Sequence, residues 1–315
     1  MVREFMLKNL STLEEVKFGQ DIDCDYIYES GGIDWGSIPA SHNLYNYPGQ
    51  IGDNISSTKV NNRDVTIEAY AYYILDEEER SSIERKDWVE YTYQKIKQKK
   101  EVLNRLINPL NFIRLTIGEY YIEGKPNATV QYGAIEEENN AYFCKFMISI
   151  FCADPMFKKI TQTITAIAGD MGAYFFPLFF QPTGKIFGVR NDFLLLEAEN
   201  EGDIEIGGII TIEAKREIVN PSLENLSNGH KIKINKTMSE GDMYIINTVE
   251  GSSKGIWSRS GVEDTSILAY WDFDNDWMKF EPGKSLISYT CDNQNEIYMD
   301  VKIEINPAKY GLEEM

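Results

Sequence analysis

Histidine and cysteine are scarce in this 315-residue sequence. His42 and His230 each lack a second ligand at metal-binding spacing, so the sequence offers little for histidine-dependent catalysis or zinc coordination. The four cysteines are scattered without a CxxC pair, which favours free thiols in the core over a zinc site or a disulfide framework. We therefore predict no metal site and no cofactor. The cysteines are Cys24, Cys144, Cys152 and Cys291.

A long apolar run is also absent. Residues 1–20 mix acidic and basic side chains with no apolar block, so we expect no signal peptide and synthesis in a cytoplasm. The most apolar stretch, residues 173–180, is interrupted by Pro177 and is far too short to span a bilayer. We expect no insertion into a membrane.

Basic residues are few relative to acidic ones. The sequence has 31 Lys and Arg against 50 Asp and Glu, a formal net charge of −19. Proteins that grip nucleic acid need basic patches to replace phosphate counterions, and anionic lipid attracts basic segments. The charge therefore argues against both kinds of binding. The negative charge either serves solubility or belongs to a protein wall that does not bind DNA.

Motifs that mark catalytic or nucleotide-binding sites are incomplete. Residues 272–276 resemble the start of an EF-hand loop, but Trp277 and Gly283 occupy the positions of its glycine and its final glutamate. Residues 283–285 resemble the end of a P-loop, but Met278 replaces the required glycine. Both motifs are excluded, although an irregular calcium site in the acidic segment stays open. We predict that the protein is not an enzyme.

Short runs of β-branched and aromatic residues dominate the chain and are typical of strands. The glycine- and proline-containing residues 31–52 predict turns, and the alternation of apolar and polar residues over 62–70 predicts a strand with one buried face. About eight strand signals in the second half predict a β-sandwich. We predict a mainly β fold with an N-terminal β-domain (1–158), an aromatic-rich connector (159–187) and a C-terminal β-sandwich (188–315).

One long helix interrupts the first domain, over about residues 82–107. Ser81 and Glu84 have the spacing of a capping box, and Pro109 ends the helix because proline disfavours helical geometry in the preceding residue. Its apolar stripe is expected to pack against a sheet, while its lysines fall mostly on other faces. The stripe comprises Ile83, Val89, Tyr93, Ile96, Leu103 and Leu106, and the lysines are Lys95, Lys97, Lys99 and Lys100.

Three tryptophans of the second domain are candidate contacts for a glycan or a partner. On exposed loops, Trp257, Trp271 and Trp277 could stack on sugar rings; alternatively, they fill the core or an interface. A carbohydrate-binding protein that contacts the host cell wall is therefore one alternative function.

Several landmarks follow one another along most of the chain. They are Pro48-Gly49-Gln50-Ile51-Gly52 before Arg63-Asp64-Val65-Thr66-Ile67, the helix end from Val102 to Pro109, the strand from Phe146 through Asp154-Pro155 to Phe157, the turn from Asn200 to Asp203, the pair Gly241-Asp242, and the segment from Phe280 to Gly283. Their shared order resembles the distal tail protein (Dit) family of siphophages. Lys284 departs from the pattern, because the family often has Asn there.

The resemblance implies a ring-forming N-terminal β-domain with one helix and a galectin-like or carbohydrate-binding-module-like C-terminal β-sandwich. It implies a structural protein of the virion tail, whose ring, expected to be hexameric, joins the tail tube to the tail tip or baseplate. The implied partners are other copies of the chain, the tail tube protein, and hub, fibre or receptor-binding proteins. DNA would pass through the lumen without specific binding. The equivalent hub component of a contractile tail particle is an alternative.

Overall fold

The computed structural model describes residues 4–21, 23–135, 139–160, 163–167, 170–172, 188–190, 195–260 and 263–312. Contacts divide the chain into two compact units, one formed by Met1–Ile160 with Tyr310–Met315 and the other by Thr161–Lys309. The second unit is thus inserted into the sequence of the first. The sequence predicted a second domain that runs to residue 315, whereas the chain end from Tyr310 belongs instead to the first unit. The aromatic run of the predicted connector, residues 173–180, lies outside the described residues.

The first unit contains twelve strands and two α-helices in its described part. The strands are β1 (Glu4–Asn9), β2 (Glu15–Gly19), β3 (Tyr26–Ile27), β4 (Ile33–Asp34), β5 (Ala40–Tyr45), β6 (Asn54–Val60), β7 (Arg63–Tyr72), β8 (Ile113–Ile117), β9 (Tyr120–Pro126), β10 (Gln131–Tyr132), β11 (Phe143–Cys152) and β12 (Phe157–Lys159). The helices are α1 (Glu77–Ser82) and α2 (Trp88–Leu106), with a 3-10 turn (Arg85–Asp87) between them.

Seven of these strands form a sheet that closes on itself. In the order β11, β7, β3, β2, β1, β8, β9, neighbouring strands are hydrogen bonded. Strand β9 then pairs with β11 again, through Pro126 with Ile150 and Lys125 with Phe151. The pairings are antiparallel except between β2 and β3. Strand β4 pairs with β7, β10 with β11 and β12 with β9. Closure removes the exposed edges that an open sheet would present.

The predicted alternating strand at 62–70 is confirmed as β7, which runs to Tyr72. Its side chains are buried at every second position from Arg63 to Ala71. It pairs with β11, where Ile67 lies opposite Ile148 and both enter the core of the barrel. Strand periodicity places alternate side chains on opposite faces, so one face of each strand supplies this core.

The long helix begins later than predicted, at Trp88. The chain leaves helical geometry at Ile83, so a short helix, α1, precedes it. The capping box is formed by Asp76 and Glu79 at the start of α1. The predicted pair of Ser81 and Glu84 caps nothing. Ser81 lies inside α1, and Glu84 precedes the 3-10 turn without a side-chain cap.

The buried face of α2 also differs from the predicted stripe. Its buried residues are Thr92, Ile96, Leu103 and Leu106, while Val89 and Tyr93 are exposed. Three of the lysines pack over tyrosine rings instead of pointing into solvent, with their stems covering apolar surface. These contacts join Lys95 to Tyr73 and Tyr91, Lys99 to Tyr26 and Tyr72, and Lys100 to Tyr132.

The second unit contains thirteen strands in its described part. They are β13 (Thr163–Ile167), β14 (Asp170–Gly172), β15 (Gly188–Arg190), β16 (Leu195–Asn200), β17 (Gly208–Ala214), β18 (Ser222–Asn225), β19 (Lys231–Lys233), β20 (Met243–Asn247), β21 (Gly255–Ser260), β22 (Glu263–Ser266), β23 (Gly283–Thr290), β24 (Met299–Ile305) and β25 (Ala308–Lys309). Two 3-10 helices, Leu268–Tyr270 and Glu296–Tyr298, interrupt them.

Two sheets of the second unit share one core. A six-stranded sheet runs β13-β24-β17-β20-β21-β22, and a four-stranded sheet runs β16-β23-β18-β19. Alternate residues of both sheets, such as Ile210, Ile303, Leu223 and Ile287, meet in a single hydrophobic cluster. This is the arrangement of a β-sandwich, and the predicted mainly β fold is confirmed. No described helix is long and apolar enough to cross a membrane.

Candidate interaction surfaces

Titratable side chains do not converge into a metal site in the described part of the chain, where no three His, Cys, Asp or Glu side chains are placed to hold an ion. The two histidines have structural partners. His42 Nδ1 lies 2.9 Å from Thr58 Oγ1, and His230 Nδ1 accepts a hydrogen bond from the backbone N–H of Lys279 at 3.3 Å. Several exposed surfaces of the described residues are candidate sites of interaction.

The first surface is a hairpin that leaves the barrel, formed by β5, β6 and the turn between them; we call residues 40–60 the hairpin arm. Within the described residues, β5 and β6 pair only with each other. All their residues are exposed except Asn54, and Ile51 at the tip is 100% exposed. Sequence reasoning predicted only turns over 31–52. The β-branched residues of β6 were the signal available for a strand. The exposed apolar residues are Leu44, Tyr45, Tyr47, Ile51, Ile55 and Val60.

Polar pairs across the hairpin arm hold its two strands together. Asn43 Nδ2 donates to Ser57 Oγ at 2.8 Å, and Leu44 lies opposite Ile55 after a bulge. Tyr45 and Tyr47 pack edge to face with ring centroids 5.5 Å apart. The arm therefore has a defined shape, although its apolar side chains remain largely exposed to solvent.

A second surface lies beside the seam where β9 meets β11. A cavity of about 290 Å³ there is lined by aromatic and aliphatic side chains, including Phe112, Tyr121 and Phe151. Lys125 is exposed at its rim, with Nζ 4.7 Å from the centroid of the Phe112 ring. Lys158 is bound to Asp154 by an ion pair of 2.6 Å. This groove suits an apolar side chain of a partner.

The structure brings together two of the three predicted tryptophans. The rings of Trp271 and Trp277 lie 4.6 Å apart between centroids at an interplanar angle of 30°, and Lys254 Nζ lies 6.0 Å from the Trp277 ring. One face of each indole ring is therefore covered by the other ring. Trp257 lies on a different element, β21.

Trp257 lies on the outer face of the six-stranded sheet. Its neighbour Ile256 points into the core, and Trp257 is flanked across the ladder by Ile245 and Ser266. Its six-membered ring lies over Gly255, where a β-carbon would come within 2.8 Å of Cη2. Glycine at this position therefore allows the indole to lie back along its own strand.

Comparison with known proteins identifies the second unit. Residues 201–304 match the family model described as the siphovirus-type tail component, C-terminal domain. Most of the second unit is therefore similar to a siphovirus-type tail domain. The predicted resemblance to the distal tail family is thereby confirmed. No curated protein sequence matches the chain.

One similar solved structure shares the fold of this chain over nearly its whole length. This is the crystal structure of Dit (gp 19.1) from phage SPP1, described as a paradigm of the hub adsorption apparatus in phages that infect Gram-positive hosts. It is 11% identical, with a TM-score of 0.61, and the match covers 96% of this chain and 98% of that one. Another is a chain of the phage P2 baseplate in its activated, calcium-containing conformation. It is 13% identical, with a TM-score of 0.45, and the match covers 97% and 98% of the two chains.

Proposed function

We propose that this protein is a non-enzymatic distal tail subunit that assembles into a ring, expected to be hexameric, between the tail tube and the tail tip. The observation that carries this proposal is the hairpin arm. An isolated two-stranded hairpin is at best marginally stable in water, and exposed apolar patches mark contacts with other proteins. The arm therefore fits a protein whose fold is completed by its neighbours.

A second copy of the chain is the occupant that suits the arm. The outer edges of β5 and β6 are free to pair with a further strand, because no other described strand pairs with them. An arm that docks on a different surface of the next copy makes a head-to-tail interface. Such interfaces close into a ring when the rotation between copies divides a full turn.

The acidic composition is compatible with the lumen of such a ring. Each copy carries −19, and charge that faced the lumen would repel the phosphates of passing DNA. The further partners we propose are the tail tube protein on one side and hub, fibre or receptor-binding proteins on the other. A ring with a net basic lumen would contradict the DNA-passage part of the proposal.

Mass photometry and negative-stain electron microscopy of the full chain test the ring. We expect particles of six 36.2-kDa subunits with sixfold symmetry. The triple variant Leu44→Asp, Ile51→Asp, Ile55→Asp should remain folded, because these side chains are exposed, and should stay monomeric. Leu226→Asp, a change at an exposed leucine of the second unit, is the matched control and should leave the ring intact. If the triple variant still forms rings, the arm does not contribute to the ring interface.

The position of Trp257 favours a second candidate function, glycan contact by the second unit. An indole laid along an open sheet face offers an apolar plane, and the Arg259–Asp264 pair beside it supplies donors and acceptors for hydroxyl groups. The test is titration of the full chain with a panel of wall-derived oligosaccharides. Trp257→Ala should abolish binding, while Trp271→Ala should not. Equal loss with both variants, or no binding, would reject this function.

A further inference from the structure

An uncovered phenylalanine on the second unit is the strongest remaining feature of the surface. Phe273 is 103% exposed, so its ring is as open to water as in an extended peptide. It lies in the segment between the 3-10 helix Leu268–Tyr270 and β23. Leu268 and Tyr270, each 45% exposed, precede it and extend the apolar surface.

Hydrogen bonds fix the segment that carries Phe273. Asn275 Nδ2 donates to the carbonyl oxygen of Lys233, and Asn275 Oδ1 accepts from the backbone N–H of the same residue, both at 2.7 Å. The Asp272 carboxylate accepts the backbone N–H of Asp274 at 3.2 Å. The segment is therefore tied to β19 and to its own turn without any contribution from the phenyl ring.

The exposure of Phe273 has no stabilising role in the folded chain. An apolar ring in water is unfavourable, and a polar residue would suit the tip of a turn. By contrast, a single aromatic side chain on a preorganised segment is the usual anchor of a protein interface. It fills a pocket on the partner while little conformational entropy is lost on binding.

Carboxylates flank Phe273 in the sequence and indicate the chemistry of its partner. Asp272, Asp274 and Asp276 place three carboxylates within five residues, and they do not converge on a metal site. Of these, Asp272 also lies near Lys233 and Lys231. Anionic lipid would repel this acidic collar, and a second copy with a net charge of −19 is a poor electrostatic match. A protein surface with lysine or arginine around an apolar pocket is complementary to it.

We propose that Phe273 and its acidic collar are the docking point for a different protein of the tail, which receives the phenyl ring in an apolar pocket bordered by basic side chains. The inference rests on the proposed place of the chain in a tail tip, because the partner is sought among the proteins of the particle. It is separate from the ring contact, which uses the hairpin arm of the first unit.

Photocrosslinking in assembled tail particles tests this docking point. Phe273 is replaced by p-benzoylphenylalanine in the full chain, and Leu226 is replaced in a matched control. We expect position 273, and not 226, to form one main adduct with another tail protein. The crosslinked peptide should contain or adjoin Lys or Arg. No adduct, an adduct with a second copy, or an adduct with lipid would overturn the proposal.

Binding measurements with the crosslinked partner then separate anchoring from mere proximity. Phe273→Ala should raise the dissociation constant at least tenfold. Asp274→Lys should also raise it and should reduce the dependence of binding on salt concentration. Leu226→Ala should stay within twofold of the parent. Unchanged affinity in Phe273→Ala would overturn the inference. Electron micrographs of Phe273→Ala distinguish loss of docking from loss of the ring. The ring should persist in this variant when only the docking is lost.

Discussion

A β-carbon on Gly124 would lie 2.4 Å from the carbonyl oxygen of Phe151. The same atom would lie 2.7 Å from Ile150 Cγ2 and 2.9 Å from Cys152 Sγ. Gly124 therefore allows β9 to approach β11 at the seam, where two residue pairs close the barrel. The constraint is one of space and not of backbone conformation.

Replacement of this glycine should open the seam. We expect Gly124→Ala to lower the free energy of unfolding of the first unit by roughly 2–4 kcal/mol, because the backbone oxygen it meets cannot move aside without breaking the ladder. Hydrogen exchange with mass spectrometry separates the two units and measures the change. Gly311→Ala is the matched control, since nothing lies within 4 Å of its β-carbon position. Equal stability of the two variants would contradict this account.

Arg63 ties the start of β7 to the end of the chain. It is 3% exposed, its guanidinium carbon lies 4.8 Å from the centroid of the Phe157 ring, and its Nη2 donates to the carbonyl oxygen of Tyr310. We expect Arg63→Met to destabilise the first unit by roughly 2–3 kcal/mol, because a buried hydrogen bond and a stacked cation are lost. Arg80→Met, at an exposed arginine, should cost less than about 0.5 kcal/mol.

Removal of residues 310–315 probes the same contact from the other side. The truncation takes away the acceptor of Arg63 and also Leu312, which packs against the core of the first unit. Its cost, measured by urea unfolding, should be less than additive with Arg63→Met, because both changes remove one shared interaction. Full additivity would show that the two ends do not act together.

The two possible capping boxes make opposite predictions. Asp76 Oδ1 accepts the backbone N–H of Glu79 at 2.7 Å, whereas Ser81 Oγ donates to the carbonyl oxygen of Glu77 within the helix. Asp76→Ala should therefore cost about 1 kcal/mol of stability, and Ser81→Ala should cost less than about 0.5 kcal/mol. Thermal unfolding followed by circular dichroism compares them, and the reverse order would restore the cap predicted from the sequence.

A cluster of two tyrosines and a lysine around Glu79 makes stability depend on pH. The hydroxyls of Tyr73 and Tyr91 donate to Glu79 Oε1 at 2.6 and 2.8 Å, and Lys95 Nζ lies 3.8 Å away. These hydrogen bonds, with Tyr73 first, hold the pKa of Glu79 below its usual value. Burial, followed by the bond to Glu79, raises the pKa of Tyr73 to about 12.

The sign of each effect follows from linkage. The contribution of Glu79 is present above the ordinary carboxyl pKa and is lost as pH falls through its lowered value. That of Tyr73 is present below its ordinary pKa of 10.0 and is lost as pH rises towards about 12. Carboxyl NMR titration should show a higher Glu79 pKa in Tyr73→Phe. Tyr70→Phe is the control, and a Glu79 pKa that does not respond to Tyr73→Phe would contradict the assignment.

Local patterns predicted elements whose cause is local. The alternation in β7 and the proline after α2 each act within a few residues, so sequence reasoning located them well. The start of the long helix was missed because the chain leaves helical geometry at Ile83. The capping box at Asp76 therefore belongs to the short α1, and α2 begins only at Trp88. The tyrosine rings that cover Lys95, Lys99 and Lys100 come from distant strands, which no helical periodicity reveals.

Composition and period therefore determined a mainly β, acidic chain with one long helix and no motif for catalysis, because these properties depend on residue types and short spacings. Only the tertiary structure decided that the sheet closes at Gly124, that the chain end returns to Arg63, and that the arm stands uncovered. It also brought the rings of Trp271 and Trp277 together. Closure of the sheet and return of the chain end depend on contacts between residues far apart in sequence, which are selected by packing of the whole unit.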